Sequence, residues 1–240
     1  MKKFKPSELF AVNEELNIKK IKLDDDDLIL MIDDFYKNPD DIREFILNTP
    51  APIWKNTPDS LNFKQYYDCR HNMSCWDTFP FVLPLSNIMS YYYDFILNKE
   101  RQIYFITNVF QWIENQPNEA VGNRVHTDGH REFASNVYFN KGSECNGGTA
   151  IYRSKHTDSI KLEESEEWIG EIEDGSCYYD KNWTNDWTLE LVIPMKYNRC
   201  VMHPGYLYHG AYHTDNAFKD FPRIAQICFI ESEFDLKPKK

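Results

Sequence analysis

The order of apolar and polar positions divides the chain into two stretches of different character. Near the start, the unbroken apolar run Leu28-Ile-Leu-Met-Ile32 reads as a short buried strand, and the segment that follows, to about residue 47, reads as a helix. Asn38 is placed as the helix cap and Pro39 as the first helical residue, where a missing N–H is harmless. Asp40 and Asp41 then lie near the positive end of the helix dipole. A second helix is predicted over about 85–98, where Ile88, Tyr92, Phe95 and Ile96 recur at helical spacing. Between the two, residues 50–84 contain Pro50, Pro52, Pro58, Pro80 and Pro84 among many polar residues and read as long loops.

From Ile103 onward the chain becomes a series of short β-branched and aromatic segments separated by Gly, Asn and Asp, the mark of antiparallel sheets. Candidate strands are 103–112, 124–128, 134–139, 149–153, 187–193, 198–203 and 224–231. The interruption at about 155–186 contains the acidic run Glu163 to Glu167 together with Trp168 and Trp183. It is too polar to be core throughout and reads as a solvated excursion or a lid. The acidic run Asp24 to Asp27 reads as a solvated loop. No internal repeat is present. The organisation expected is one domain over 1–240. Residues 1–100 supply a supporting strand, helices and loops, and 101–232 form a β core carrying the 155–186 insertion.

Composition narrows the function. The chain has 240 residues, with 42% hydrophobic and 15% aromatic positions, which is enough for a sizeable core and excludes disorder for most of its length. Its formal charge of −11, with no basic stripe, argues against bulk nucleic-acid binding, which needs Lys and Arg gathered on one face. No apolar segment of signal-peptide length follows the basic N-terminus, and no run of about 18 apolar residues could cross a bilayer. Cys69, Cys75, Cys145, Cys177, Cys200 and Cys228 are scattered and form no CxxC pair, so reduced thiols in a cytoplasmic protein are expected.

The chemistry gathers in three places. In Asn123-Arg-Val-His126-Thr-Asp128-Gly129, residues two apart on a strand share a face, so His126 and Asp128 can present an imidazole and a carboxylate side by side. Alone, this pattern is common on protein surfaces. A second ligand-bearing segment, Val201-Met-His203-Pro-Gly-Tyr-Leu-Tyr-His209-Gly210, lies downstream. Two histidines and one carboxylate form a facial triad suited to non-haem Fe(II), with positions left open for a co-substrate and oxygen. Finally, Arg223 heads the apolar strand Ile224-Ala-Gln-Ile-Cys-Phe-Ile230. An arginine entering a buried strand is costly unless it meets an anion, and its planar fork matches a carboxylate.

Three histidines compete for the third ligand position. His203 is followed by Pro204-Gly205, which should end its strand, and His213 sits in the polar Ala-Tyr-His-Thr-Asp-Asn. His209 follows the Pro-Gly turn and an apolar Tyr-Leu-Tyr and precedes the small Gly210 and Ala211, so it is the favoured candidate. His71, His130 and His156 read as surface residues in polar loops, with His130 close enough to Asp128 to help bind substrate. Trp112, Trp183 and Trp187 read as packing residues before pocket walls.

Taken in order, His126-Thr-Asp128, Val137-Tyr138-Phe139-Asn140, Gly147-Gly148-Thr149, Asn198-Arg199 leading to His209, and Arg223 resemble the Fe(II)- and 2-oxoglutarate-dependent dioxygenases, especially their prolyl-hydroxylase-like branch. The matching residues lie within about 100–232. The resemblance implies a mainly β fold with supporting helices, a cupin-like double-stranded β-helix or jelly roll. It implies Fe(II) held by His126, Asp128 and His209, and 2-oxoglutarate whose far carboxylate pairs with Arg223 and meets the Tyr138 hydroxyl. It also implies O2 as oxidant, with succinate and CO2 released as a substrate C–H bond is hydroxylated. Halogenating relatives lack the carboxylate ligand, so Asp128 points to hydroxylation.

The chain departs from the family pattern in two ways. Gly147-Gly148-Thr149 is one residue shorter than the family's segment and is expected to be an architectural hairpin turn. The interval from His209 to Arg223 is longer than usual, and His213 would give the more usual one. The rival readings are a cupin-like or hydrolytic metalloprotein using the same His/Asp/His set, and a jelly-roll binding module without catalysis. The substrate, a peptide, amino acid or other small molecule, and the oligomeric state are not legible.

Overall fold

The computed structural model describes residues 6–23, 27–49, 55–56, 68–74, 84–85, 87–88, 91–92, 105–114, 125–128, 133–162, 183–214 and 217–231. Its helices are α1 (Pro6–Leu9), α2 (Pro39–Asn48) and α3 (Trp183–Asp186). The strands are β1 (Asn17–Lys22), β2 (Leu28–Asp33), β3 (Lys55–Asn56), β4 (Asp68–Ser74), β5 (Phe105–Glu114), β6 (Phe133–Tyr138), β7 (Gly148–Ser154), β8 (Trp187–Pro194), β9 (Cys200–Pro204), β10 (His209–Tyr212) and β11 (Arg223–Glu231). The larger sheet has the order β1-β2-β9-β6-β11-β5-β4-β3 and the smaller β10-β7-β8. Every named pair is antiparallel. From β5 onward the chain passes repeatedly between the sheets: β6, β9 and β11 join the larger one, β7, β8 and β10 the smaller. That winding makes a double-stranded β-helix, the jelly roll.

Strand periodicity decides which side chains enter which layer. On the larger sheet Phe110, Val137, Cys200, Met202, Ile224 and Cys228 face outward, where they pack with Ile42 and Ile46 of α2 and with Phe10, Phe35 and Tyr36. This outer core is aromatic: Phe10 stacks on Phe110 at 6.1 Å and Tyr36 on Phe139 at 6.2 Å. The alternate residues Tyr138, Val201 and Ala225 turn the other way and meet Ile151 and Ile193 of the smaller sheet, forming the layer between the sheets. The far face of the smaller sheet is covered by a third cluster around Ala150, Tyr152 and Tyr208, with Trp187 and Leu162 against it.

Several expectations are corrected. Asn38 stands at the cap position and Pro39 begins α2, but the Asn38 side chain makes no capping bond; its amide donates instead to the Glu8 carbonyl at 3.4 Å. The proline-rich stretch read as loops contains β3 and β4, and His71 lies on β4 opposite Gln111 rather than in a loop. Isolated prolines flank these strands without entering them, so the loop reading overweighted them. The strand predicted at 124–128 is reduced, among the described residues, to one bridge between His126 and His209. β10 itself was not anticipated, because His-Gly-Ala-Tyr carries no β-branched residue.

Trp112 packs against the outer core and Trp187 lies edge-on to Tyr208 at 4.6 Å, on the far face of the smaller sheet. Among the described parts of the predicted second helix, 84–85, 87–88 and 91–92 are helical. The 163–182 part of the insertion, with Trp168, lies outside the described residues, as does His130; so does the side chain of Trp183. Among the described residues no helix is long and apolar enough to cross a membrane.

Two polar fastenings hold the layers in register. Arg199 donates to both Asp33 carboxylate oxygens, at 2.6 and 3.1 Å, and to the Pro194 carbonyl at 2.9 Å. This guanidinium holds the Asp33 carboxyl below the usual carboxylate range. Asn198, with φ of 57°, exchanges two 2.9 Å hydrogen bonds with the Tyr36 backbone and so joins the end of β2 to the start of β9.

Gly147 is fixed by space as well as by backbone. At φ of +65°, a Cβ there would lie 1.8 Å from the Tyr212 carbonyl oxygen, in the backbone of β10. Gly142 also has positive φ, at +50°, but a Cβ there meets nothing within 4 Å. Gly147→Ala should therefore lower stability by more than about 2 kcal/mol, and Gly142→Ala by about 1 kcal/mol. Urea unfolding of the two variants checks this; equal losses would mean that the close approach to β10 is not a constraint.

Candidate functional site

The three triad candidates are brought together by the way the smaller sheet closes. His126 N–H donates to the His209 carbonyl at 2.9 Å and His209 N–H to the His126 carbonyl at 2.8 Å, an antiparallel pair whose side chains share a face. His209 is also paired with the inward-facing Ile151, so that face is the one between the sheets. Asp128, two residues beyond His126, falls on the same side, and its N–H donates to the Gly205 carbonyl at 2.8 Å. The Asp128 carboxylate lies 3.7 Å from His126 Nε2 and 3.4 Å from His209 Nε2. One ligand atom from each of the three residues lies within 4.8 Å of the others.

The chemistry of these atoms fits a cation. His209 Nδ1 lies 2.9 Å from the Leu207 carbonyl, which can only accept, so Nδ1 carries the proton and Nε2 presents a lone pair towards Asp128. Asp128 Oδ2 is buried with no hydrogen-bond partner. A buried carboxylate oxygen facing a lone pair is repulsive unless a positive charge lies between them, and a hydrogen-bonded Nδ1 is the usual support of an Nε2 metal ligand. His126 is the most open of the three, its side chain 28% exposed against 3% for Asp128 and 8% for His209.

His203 stands beside this group without joining it. It projects from β9 of the opposite sheet, and its ring lies 4.3 Å from that of His209. Its Nδ1 is 2.9 Å from the Pro204 carbonyl, and its buried Nε2 has no partner. Burial first, and then the His209 ring, pushes His203 down to about 3; burial and then His126 push His209 down to about 3. Both rings are therefore neutral at ordinary pH, the form in which an imidazole can bind a metal. His213 lies outside the group, against Phe218 at 6.1 Å. His156 is at the surface, 2.9 Å from Asp186. Cys145, Cys200 and Cys228 are free thiols.

Arg223 begins the central strand of the larger sheet and is 4% exposed. Its backbone is held on both sides by buried Asn140, whose amide donates to the Pro222 carbonyl at 2.8 Å and accepts from the Ile224 N–H at 2.9 Å. The guanidinium lies 5.5 Å from the centre of the Tyr138 ring and donates to the side-chain oxygen of Gln111. Among the described residues it has no carboxylate partner. The Tyr138 hydroxyl shares a 2.5 Å hydrogen bond with Thr149 of the smaller sheet, linking the two sheets beside the arginine. Thr149 is two residues from Ile151, the partner of His209, so β7 borders both the arginine cluster and the triad.

Sequence reasoning placed Arg223 and Tyr138 in this region, quoted Asn140 and Thr149 within family motifs without giving either a role, and passed over Gln111. Gly147-Gly148-Thr149 is not a hairpin turn; the glycines lead into β7 and Thr149 faces inward. The signal for Thr149 was strand parity with Ile151. For Gln111 a single sequence carries none, because it acts through cross-strand register; the clamp by Asn140 depends on register too.

No family model matches this chain, and no curated protein does. Among solved structures it is similar to a prolyl 4-hydroxylase from Phytophthora capsici, at 11% identity over 88% of this chain and 60% of the other, with a TM-score of 0.45. It is also similar to the epimerase SnoN, whose structure holds Fe3+, alpha-ketoglutarate and nogalamycin RO, at 13% identity over 79% and 70% of the two chains, with a TM-score of 0.43. A third is the Fe(II)/alpha-ketoglutarate-dependent dioxygenase TqaL, at 10% identity, 70% and 63% coverage and a TM-score of 0.32. The chain spans less than two thirds of the length of the first and third. Overlaps this loose assign no activity.

The buried neutral histidines give a pH signature. In the unfolded chain a histidine takes up its proton near 6.5, whereas in the fold His203 and His209 resist it until about 3. The unfolded state then binds more protons across that window, so metal-free protein should lose stability as pH falls from 6.5 towards 3. His203→Phe removes one of the two groups and should make the decline shallower. Urea melts at pH 7.5 and pH 5 measure it; parallel losses in wild type and variant would contradict the burial of a neutral His203.

Proposed function

We propose that the chain is a non-haem Fe(II)- and 2-oxoglutarate-dependent oxygenase that hydroxylates a small-molecule or peptide substrate. One observation carries the reading. A His/Asp/His group whose ligand atoms lie within 4.8 Å of one another, and a buried arginine that among the described residues meets an amide and no carboxylate, both face the layer between the two sheets. A short dicarboxylate offers one end to each group. A facial set of two imidazoles and one carboxylate leaves open positions on the metal for such a molecule and for O2.

Each residue has a defined part. His126, Asp128 and His209 hold the metal, with the Leu207 carbonyl fixing the orientation of the His209 ring. Arg223 binds the far carboxylate of 2-oxoglutarate, its backbone clamped by Asn140. Tyr138 and Thr149 close the side of that pocket and supply hydroxyl groups to it. His126, the most open ligand, lies on the side from which substrate arrives. Bound iron supplies the redox chemistry by which 2-oxoglutarate and O2 become succinate and CO2 as a C–H bond is hydroxylated. The surrounding apolar layer, with Ile151, Ile193 and Leu207, keeps bulk water from that chemistry.

Metal-stripped protein should regain one Fe(II) per chain under anaerobic titration, and Asp128→Ala should weaken uptake at least tenfold while the protein stays folded. Equal uptake by wild type and variant would remove Asp128 from the ligand set. A zinc-dependent, 2-oxoglutarate-independent activity would favour a hydrolytic metalloprotein.

Arg223→Ala should leave iron uptake intact but weaken 2-oxoglutarate binding by about 2–5 kcal/mol, the usual loss when one partner of a buried charge pair is truncated. Arg223→Lys should restore only part of it, since a point charge cannot make the bidentate contact. Calorimetric titration of 2-oxoglutarate into the metal-loaded proteins checks this, and unchanged affinity in both variants would make Arg223 structural.

A further inference from the structure

Gln111 is the one side chain among the described residues that accepts a hydrogen bond from the Arg223 guanidinium, and it does so without carrying charge. The register explains how they meet. Gln111 of β5, Ala225 of β11 and Tyr138 of β6 are Cα partners in one row across three adjacent strands. Ala225 and Tyr138 face the space between the sheets, so Gln111 in the same row does too. Arg223 is two residues from Ala225 on the same face. Its guanidinium lies back over that row, with the Gln111 amide at one end and the Tyr138 ring at the other. Ala225, wholly buried and with only a methyl group, leaves the space this requires.

The identity of the residue at 111 decides what the arginine can still do. Guanidinium has only donors, so Gln111 must turn its carbonyl oxygen towards it. A neutral acceptor fixes the direction of the fork and leaves the full positive charge in place. A carboxylate at the same position would reach the same nitrogen and complete an internal ion pair, taking both the charge and the fork. Buried arginines are ordinarily met by such a carboxylate, as Arg199 is by Asp33 in this same chain. Among the described residues Arg223 instead meets an amide.

We propose that Gln111 is a positioning residue for the anion site, holding Arg223 over Ala225 while keeping its charge available for the far carboxylate of the co-substrate. It thereby sets the selectivity for 2-oxo diacids over 2-oxo monoacids. The inference rests on the oxygenase reading given above. No covalent step is involved.

The test compares 2-oxoglutarate with 2-oxobutyrate, which shares the 2-oxo acid end but lacks the far carboxylate. Each is titrated calorimetrically into Co(II)-loaded full-length wild type, Gln111→Glu and Gln111→Met. Wild type should prefer 2-oxoglutarate. Gln111→Glu should weaken 2-oxoglutarate at least tenfold, leave 2-oxobutyrate within twofold and so abolish the preference, with Co(II) affinity unchanged. Gln111→Met keeps the volume and the charge on Arg223 but loses the hydrogen bond. It should weaken 2-oxoglutarate severalfold and retain a preference for it.

A structural role alone would shift both ligands together and leave their ratio unmoved. An unchanged ratio in Gln111→Glu, or equal loss of preference in Gln111→Met, overturns the proposal while the oxygenase reading stands. Should Gln111→Glu fail to fold, full wild-type preference in Gln111→Met would also overturn it. If metal-loaded wild type binds no 2-oxoglutarate, the oxygenase reading itself falls, and this inference with it.

Discussion

Two reciprocal backbone hydrogen bonds between His126 and His209 are the contact on which the site depends. They close the smaller sheet at its edge, and by closing it they force two imidazoles onto one face. Asp128 follows by strand period, and its carboxylate enters the same buried space. The consequence is electrostatic. Lone-pair atoms converge where burial has removed the water that would otherwise solvate them, and Asp128 Oδ2 is left with no donor. Such an arrangement costs free energy in the bare protein, and a cation bound there relieves it.

The opposite imbalance occurs on the facing sheet. Arg223 brings a positive charge into the layer between the sheets and, among the described residues, meets an aromatic ring and an amide and no carboxylate. Elsewhere the chain treats buried charge conventionally, as in the two-oxygen contact between Arg199 and Asp33. Arg199 is a fastening, a satisfied pair that holds strands together; Arg223 has no such pair among the described residues, and the proposed reading gives it a ligand instead.

Much of this was legible in the sequence, for physical reasons. Strands that alternate between two buried layers must be rich in β-branched and aromatic residues, so β6, β7, β8, β9 and β11 announced themselves within a residue or two. His126 and Asp128 were readable as a pair because strand period is local. What depended on register was not legible. β4 lies within a stretch marked by prolines, and β10 is too short and too small in its side chains to carry a signal. The hydrogen bond between Tyr138 and Thr149, the clamp by Asn140 on either side of Arg223, and the amide of Gln111 all arise between strands distant in sequence. His203 was weighed only as a rival ligand; its place beside His209 from the opposite sheet is a property of the sandwich.

The central claim is that the convergent His126, Asp128 and His209 side chains are a metal site, and the most direct measurement is its location. Crystals of the protein loaded with Fe(II) under anaerobic conditions, with diffraction recorded on both sides of the iron absorption edge, give an anomalous difference map. The account predicts one strong peak per chain, within bonding distance of His126 Nε2, His209 Nε2 and one Asp128 oxygen. A fully loaded crystal with its peak elsewhere, or with no peak between these three residues, would contradict it.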